Sequence, residues 1–265
     1  NDEREAQFFV SHWWGEPVLD FVACLVAHDE VHKGDGQGLY WVCAYANCQA
    51  RIVEELGEEG PLSSPFYKAL MAAEGGAVLV IDANSTVTTR MWCGFENVVI
   101  ASSGKSFAIS TAASGKGHVL TAAPAPVDLG NMDDDVPAAT AQQEREQRFP
   151  ADRLGAMLRT HLEGAEASNE HDKAMIIDCV NQDLGGFDLA NSKLRVMAAV
   201  ALFALSTVTS ETVKLLNQAK EIYQLKGGYS ALSKGWSLGL GLLQCSSLTL
   251  SCREVGDNGV KALGE

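Results

Sequence analysis

Three side chains that could do chemistry lie close together in the stretch TTRMWCGFENVV, residues 88–99. Trp92, Cys93 and Glu96 share one face of the helix predicted here, because side chains three and four residues apart are neighbours on a helix. The carboxylate of Glu96 could stabilise positive charge that develops in a transition state. A purely structural role is the alternative. Trp92 would then cover the sheet, Cys93 would be a small buried apolar residue, and Glu96 would pair with Arg90 or a lysine.

A second group of side chains has the spacing of a metal site. Cys24, His28 and His32 recur every four residues, so a continuing helix would place all three on one face, where a zinc ion could bind. The segment HDEVH lacks the glutamate that the zincin motif requires directly after its first histidine. KGDGQG follows at once, which predicts that the helix ends before His32. We expect no metal here, and none at Cys43 and Cys48, which have no matching second pair.

The segment SSGKS, residues 102–106, is similar to the end of a phosphate-binding loop. The full motif requires a glycine five residues before Gly104 and Lys105, and Val99 stands there. A full phosphate-binding loop is followed by a helix, whereas SSGKS is predicted to be followed by a strand. A simple turn is therefore predicted.

The elements that must position these side chains follow from hydrophobic periodicity. Strand-like runs alternate with helical patterns in the first half, which predicts a mainly parallel sheet with helices on both faces. The predicted strands are QFFVS, LYWVCAY, AVLVIDA, SFAIST and GHVLTA, and the predicted helices include PVLDFVACLVAH and SPFYKALMAAEGG. AVLVIDA is typical of a strand covered on both faces. Because ligands bind beyond the carboxyl ends of parallel strands, Glu96, which follows AVLVIDA, is expected near a binding edge.

The second half of the chain has a different character. Residues 126–140 combine proline, glycine and three consecutive aspartates, which predicts a linker. Residues 141–235 carry mostly helical patterns and are predicted to form a helical connector. Residues 236–265 predict a short strand, a turn and the beginning of a helix. One such unit cannot bury its apolar face alone, so it is expected to start a stacked array.

Composition narrows the classes of function. The chain has 265 residues and a formal net charge of -14, which argues against a surface that tracks nucleic-acid phosphates. The longest apolar run, VMAAVALFAL, is too short to span a bilayer, and the N-terminal NDEREAQFF has no signal-peptide pattern. Seven scattered cysteines, an odd number, form no disulfide framework, so we expect a cytoplasmic location. The abrupt end suggests a piece of a longer chain.

Three segments of the first half together carry a family resemblance. They are FFVSHWWGEP at residues 8–17, YWVCAYANCQ at residues 40–49 and RMWCGFE at residues 90–96, hereafter the Trp-Cys-Glu box. In this order they resemble landmarks of the Toll/interleukin receptor (TIR) superfamily and its divergent cousins in protist and fungal multidomain proteins. The resemblance covers about residues 7–126. It implies a flavodoxin-like, TIR-like α/β domain over residues 1–125.

The resemblance also implies roles for individual residues. In TIR domains that cleave nicotinamide dinucleotides the catalytic acid is the glutamate of the box, which is Glu96 here. A carboxylate suits this reaction because positive charge develops on the ribose when the bond to nicotinamide breaks. NAD is then the expected substrate, and no other cofactor is expected. Position alone, at the end of the first strand and the start of the helix with the box, suggests the residues that would bind it, namely Ser11, His12, Trp14, Arg90 and Trp92, with Trp13 as an alternative to Trp14. Arg90 would hold a phosphate at the helix start.

The C-terminal segment LTLSCREVGDNGVKALGE resembles the ribonuclease-inhibitor class of leucine-rich repeat. Its apolar slots are Leu248, Leu250, Val255, Val260 and Leu263. This resemblance implies recognition of a protein partner. Two functions stay open. The first is a signalling or interaction module that recognises a protein and self-associates, and the second is an NAD hydrolase that acts through Glu96. An open pocket at Glu96 would favour the enzyme, and a Glu96 paired with a cation would favour the module.

Overall fold

A computed structural model describes residues 5–32, 38–48, 60–121, 148–150 and 152–204. Its centre is a five-stranded sheet with the order β2-β1-β3-β4-β5. The strands are β1 (Phe8–Ser11), β2 (Tyr40–Val42), β3 (Gly76–Val80), β4 (Phe107–Ala113) and β5 (Lys116–Thr121). The first four are parallel, and β5 is antiparallel to β4. The predicted α/β fold with a mainly parallel sheet is confirmed. Its flavodoxin-like or TIR-like identity stays a prediction.

Helices cover both faces of this sheet. They are α1 (Val18–Val31), α2 (Cys43–Ala46), α3 (Pro65–Ala72), α4 (Met91–Ser103), α5 (Asp152–Met157), α6 (Glu170–Gln182) and α7 (Phe187–Ala204). Alternate side chains of the central strands lie on opposite faces of the sheet, because successive side chains of a strand point in opposite directions. Val78 and Val80 pack with α1, and Ala77 and Leu79 pack in the larger cluster that includes α3 and α4. The uninterrupted apolar run of β3 is explained by this double burial.

One predicted strand is shorter in the structure. LYWVCAY was expected to be a strand throughout, but β2 ends at Val42 and Cys43 begins the short helix α2. β2 is an edge strand that pairs only with β1, and the last pair of that ladder is Val10 with Val42. The next residue of β1, Ser11, pairs only with Leu79 of β3. The ladder between β1 and β2 therefore ends where α2 begins.

The helices of the second half share a core with the α/β sheet. Side chains from α5, α6 and α7 belong to the same buried cluster as Phe9 of β1 and Phe95 of α4. The helical pattern predicted for residues 141–235 is interrupted between α5 and α6. Helix α5 ends at Met157, and the 3₁₀ turn Leu162–Gly164 follows before α6 begins. Leu162 is fully buried against α4 at Gly94, where a Cβ atom would overlap it. Glycine in the Trp-Cys-Glu box thus permits this close approach.

Several predictions concern residues outside those described. These are the predicted linker, residues 126–140, the predicted repeat unit, residues 236–265, and residues 141–147 and 205–235 of the predicted helical connector. Their domain boundaries stay predictions. Among the described helices, none is both long enough and apolar enough to cross a membrane. None of the five described cysteines forms a disulfide.

Candidate functional site

A cavity of about 360 Å³ lies where β1 ends and α4 begins. The loop after β1 supplies His12, Trp13 and Trp14, and the start of α4 supplies Arg90, Met91, Trp92, Cys93 and Glu96. The remaining wall comes from Val10, Cys43, Phe66, Glu166, Ala167, Ser168, Asn169 and Asp172. The cavity therefore lies at the carboxyl edge of the parallel strands, where open α/β sheets bind ligands.

The carboxyl group of Glu96 lies inside this cavity. Only 6% of Glu96 is exposed, and its Oε2 accepts a hydrogen bond of 2.5 Å from the Oγ of Ser11 at the end of β1. Burial raises the pKa of Glu96 to about 8, and the hydrogen bond from Ser11 opposes this rise. At neutral pH these surroundings therefore favour the protonated acid, and a cation bound beside Glu96 would favour the carboxylate.

Glu96 has no cationic partner among the described residues. Arg90, the residue proposed for that pairing, instead contacts the carboxylate of Glu166 at 3.5 Å and donates to the Oγ of Ser168 at 3.0 Å. The ion pair considered as a structural role for Glu96 therefore does not form with Arg90. The carboxyl group is positioned by a neutral donor, and Glu96 lines the cavity.

Aromatic rings form one side of the cavity. Trp92 stacks on Phe66 with ring centroids 5.0 Å apart and an interplanar angle of 21°. The Nε1–H of Trp92 donates to Asp172 at 3.1 Å, which fixes the orientation of the indole. Trp13 is partly buried, and Trp14 is 54% exposed at the mouth of the cavity. Flat faces of this kind bind aromatic or cationic ligands.

His12 lies beside the cavity with a neutral side chain. Its Nδ1 lies 3.1 Å from the carbonyl oxygen of Trp13. A carbonyl can only accept, so Nδ1 carries the ring proton and Nε2 has a lone pair. Burial lowers the pKa of His12 to about 4, which keeps the ring neutral. The ring packs on Phe21 of α1 with centroids 4.5 Å apart, and Nε2 is fully buried without a hydrogen-bond partner among the described residues, so it is not exposed to the cavity.

A short segment from the helical half closes the cavity. Residues 166–169, hereafter the strap, run beside the start of α4 and form a parallel bridge between Arg90 and Glu166. The amide of Met91 donates to the carbonyl of Glu166 at 2.8 Å, and the amide of Glu166 donates to Thr89 at 2.7 Å. The helical half is therefore part of the site.

The structure brings most of the predicted site residues together. His12, Trp14, Arg90, Trp92 and Glu96 all line one cavity. Ser11 is fully buried and does not line it, but it contacts Glu96 from behind. Arg90 was expected to bind a phosphate, but in the structure its guanidinium group contacts Glu166 and Ser168 of the strap.

Sequence reasoning missed several members of the site. The strap, Asp172, Cys43 and Phe66 gave no signal, because nothing in their local sequence links them to the Trp-Cys-Glu box. It also missed that GWSLG, residues 235–239, has the G-x-S-x-G pattern of a nucleophile elbow. That segment lies outside the described residues.

The other candidate segments have ordinary local structure. Helix α1 ends at Val31, and His28 Nδ1 lies 2.9 Å from the hydroxyl of Tyr40. In the part of the chain that the structure describes, no cluster of histidine, cysteine and acidic side chains could hold a metal ion. Ser102 and Ser103 form the end of α4, Gly104 ends the helix in the left-handed conformation with φ 79, and β4 begins at Phe107, so the turn is confined to the last part of SSGKS.

Comparisons of the chain with protein-family models, with curated proteins and with solved structures find no match.

Proposed function

We propose that this protein hydrolyses the bond between nicotinamide and ribose, with Glu96 as the catalytic carboxylate. One observation carries the proposal: the carboxyl group of Glu96 is buried in an open cavity without a cationic partner among the described residues, next to stacked aromatic rings. A carboxylate held only for stability would be expected to pair with a cation or face solvent.

The reaction suits a site with a single central carboxylate. When the bond between the pyridinium nitrogen and the anomeric carbon breaks, its electron pair goes to the nitrogen and neutralises the nicotinamide. The leaving group therefore needs no proton, unlike a sugar alkoxide, for which glycosidases use a second acidic residue. The ribose acquires oxocarbenium character, which the negative charge of Glu96 stabilises. Water then bonds to the anomeric carbon and gives a proton to Glu96.

The neighbours of Glu96 support this role. Ser11 donates to the carboxyl oxygen at 2.5 Å, which orients the group and favours its ionised form. A pyridinium ring bound in the cavity would lower the pKa of Glu96 further, because an opposite charge within about 4–6 Å favours the charged form. The indole of Trp92, supported by Phe66, offers a face for the ring. The substrate thus helps to ionise the residue that acts on it.

Product analysis tests this proposal. Purified protein is incubated with NAD, and nicotinamide release is measured by chromatography. We expect Glu96→Gln to lower the rate at least about 100-fold, as removal of one preorganised electrostatic group does. The matched control is Glu74→Gln, because Glu74 is an exposed acid that does not line the cavity. Equal release by parent and Glu96→Gln protein would refute the role of Glu96.

An interaction module is the second candidate, and the surface of α1 favours it. Val18, Leu19, Val22 and Val26 are between 48% and 84% exposed. They form an uncharged apolar face, so two copies of this chain could meet there without opposing like charges. The protein partner implied by the predicted repeat unit belongs to the same hypothesis. Light scattering over a range of concentrations tests self-association. Dimerisation that Leu19→Asp abolishes would support the module, and a monomer at all concentrations would oppose it.

A further inference from the structure

We infer that the cavity takes a pyridinium ribonucleoside without phosphate groups in preference to a whole dinucleotide. This inference rests on the proposed function and names its substrate class. It is carried by the charges at the cavity, by its aromatic wall and by the size of the space.

The described wall of the cavity is acidic. It includes the carboxylates of Glu166 and Asp172, to which Glu96 adds a negative charge when a bound cation favours its ionisation, and its one arginine, Arg90, is already engaged by Glu166 and Ser168. A pyrophosphate carries two negative charges and is bound in proteins by unengaged cations and helix N-termini. A pyridinium nucleoside carries one positive charge. The wall therefore attracts the nucleoside and repels the pyrophosphate.

The two helix N-termini that border the cavity are already engaged by groups of the chain itself. At α4 the backbone carbonyl of Glu166 accepts the amide of Met91. At α6 the Oδ1 of Asn169 accepts the amide of His171, and the first turn contains Glu170 and Asp172. The positive end of a helix dipole is the usual place for a ligand phosphate. A phosphate would have to compete with these groups at both positions.

The aromatic wall favours a cationic ring. Asp172 accepts the Nε1–H of Trp92, which increases electron density in the indole and strengthens its attraction for a cation. The cavity of about 360 Å³ is at the lower end of the range of about 300–1,000 Å³ that is typical of ligand pockets. This space suits one nucleoside better than two joined by a pyrophosphate.

Competing substrates test the inference. Nicotinamide riboside, nicotinamide mononucleotide and NAD are each incubated with the parent protein, and kcat/KM for nicotinamide release is measured. We expect the riboside to exceed NAD by about tenfold or more, with the mononucleotide between them, because each added phosphate meets the acidic wall. An equal or higher kcat/KM for NAD would overturn the inference and leave the proposed function intact.

Binding separates the inference from the proposed function. Calorimetry on the Glu96→Gln variant, in which cleavage is not expected, compares the riboside with NAD. Tighter binding of the riboside than of NAD supports the substrate class. If the parent protein nevertheless cleaves neither compound, the proposed hydrolysis is refuted and the inferred preference stands. Tighter binding of NAD, or no binding of the riboside, overturns the inference.

A charge variant identifies the groups responsible. Asp172→Asn should reduce the preference for the riboside about three- to tenfold, since it removes one carboxylate from the wall. Asp178→Asn is the matched control, because Asp178 is an exposed residue of the same helix α6 and does not line the cavity. An equal change in both variants would mean that net charge alone sets the preference.

Discussion

The hydroxyl of Ser11 lies 2.5 Å from the carboxyl oxygen of Glu96, which joins the end of β1 to the first turns of α4. The two residues are 85 positions apart in the chain. The contact provides the only hydrogen bond that the described residues make to the carboxyl group of Glu96, and it favours ionisation against the effect of burial. The protonation state of Glu96 is therefore set by the balance of these two effects.

Activity should depend on pH through Glu96. Burial raises its pKa to about 8, so kcat/KM should increase with pH and level off above about 8, because the carboxylate is the active form. The midpoint of the kcat profile should lie at a lower pH than that of the kcat/KM profile, because the bound cation favours ionisation of Glu96. Glu16→Gln is the control. Burial raises the pKa of Glu16 to about 7, but Glu16 does not line the cavity. A flat profile between pH 6 and pH 9 would contradict this prediction.

Stability should depend on the same ionisation. The pKa of Glu96 is about 8 in the folded protein against an ordinary value of 4.5, so between these values the folded state binds more protons than the unfolded state. The contribution of Glu96 to stability is therefore present below about pH 4.5 and is lost as pH rises towards 8. The Tm of Glu96→Gln minus the Tm of the parent should become more positive as the pH rises from 5 to 9. Glu74→Gln should show no such trend.

Removal of the Ser11 hydroxyl should make Glu96 harder to ionise. Ser11→Ala deletes the hydrogen bond that favours the carboxylate, so the midpoint of the kcat/KM profile should move to higher pH. Loss of a buried hydrogen bond should also cost about 1 kcal/mol of stability. Ser110→Ala is the matched control, because Ser110 is a fully buried strand serine whose Oγ donates to backbone carbonyls of Cys24 and His118. That variant should lose stability without a shift in the pH midpoint.

The packing of Gly94 against Leu162 should be sensitive to a single methyl group. Gly94→Ala places a Cβ atom into the Leu162 side chain, so it should cost about 1–3 kcal/mol by overpacking. The separation of α4 from the 3₁₀ turn should also displace the strap and raise KM. Chemical denaturation measures the first effect and steady-state kinetics the second. A Gly94→Ala protein with the parent's stability would contradict the overlap.

Gly155→Ala provides the comparison for that prediction. Gly155 lies in α5, and the nearest atom to a Cβ placed there is at 3.8 Å, an ordinary contact. Alanine in a helix is favoured over glycine by about 0.5–1 kcal/mol. Gly155→Ala should therefore keep or increase stability, with KM unchanged.

The sequence by itself determined the layers of this fold and part of its site. The fully apolar β3 and the alternation of short apolar runs with helical patterns indicate which residues are buried. This information is contained within each segment of the sequence. The spacing of Trp92, Cys93 and Glu96 on one helix face is also local. For these reasons the sheet, its covering helices and the position of Glu96 near the strand ends could be predicted.

Only the tertiary structure decided which groups complete the site and which partner each one has. Arg90 reaches Glu166 across 76 positions, and Trp92 reaches Asp172 across 80. Contacts over such separations depend on how whole elements pack, and a single ion pair or hydrogen bond leaves no periodic pattern in the sequence. The same packing buries Glu96 beside Ser11 and away from Arg90, and burial without a cationic partner is what raises its pKa.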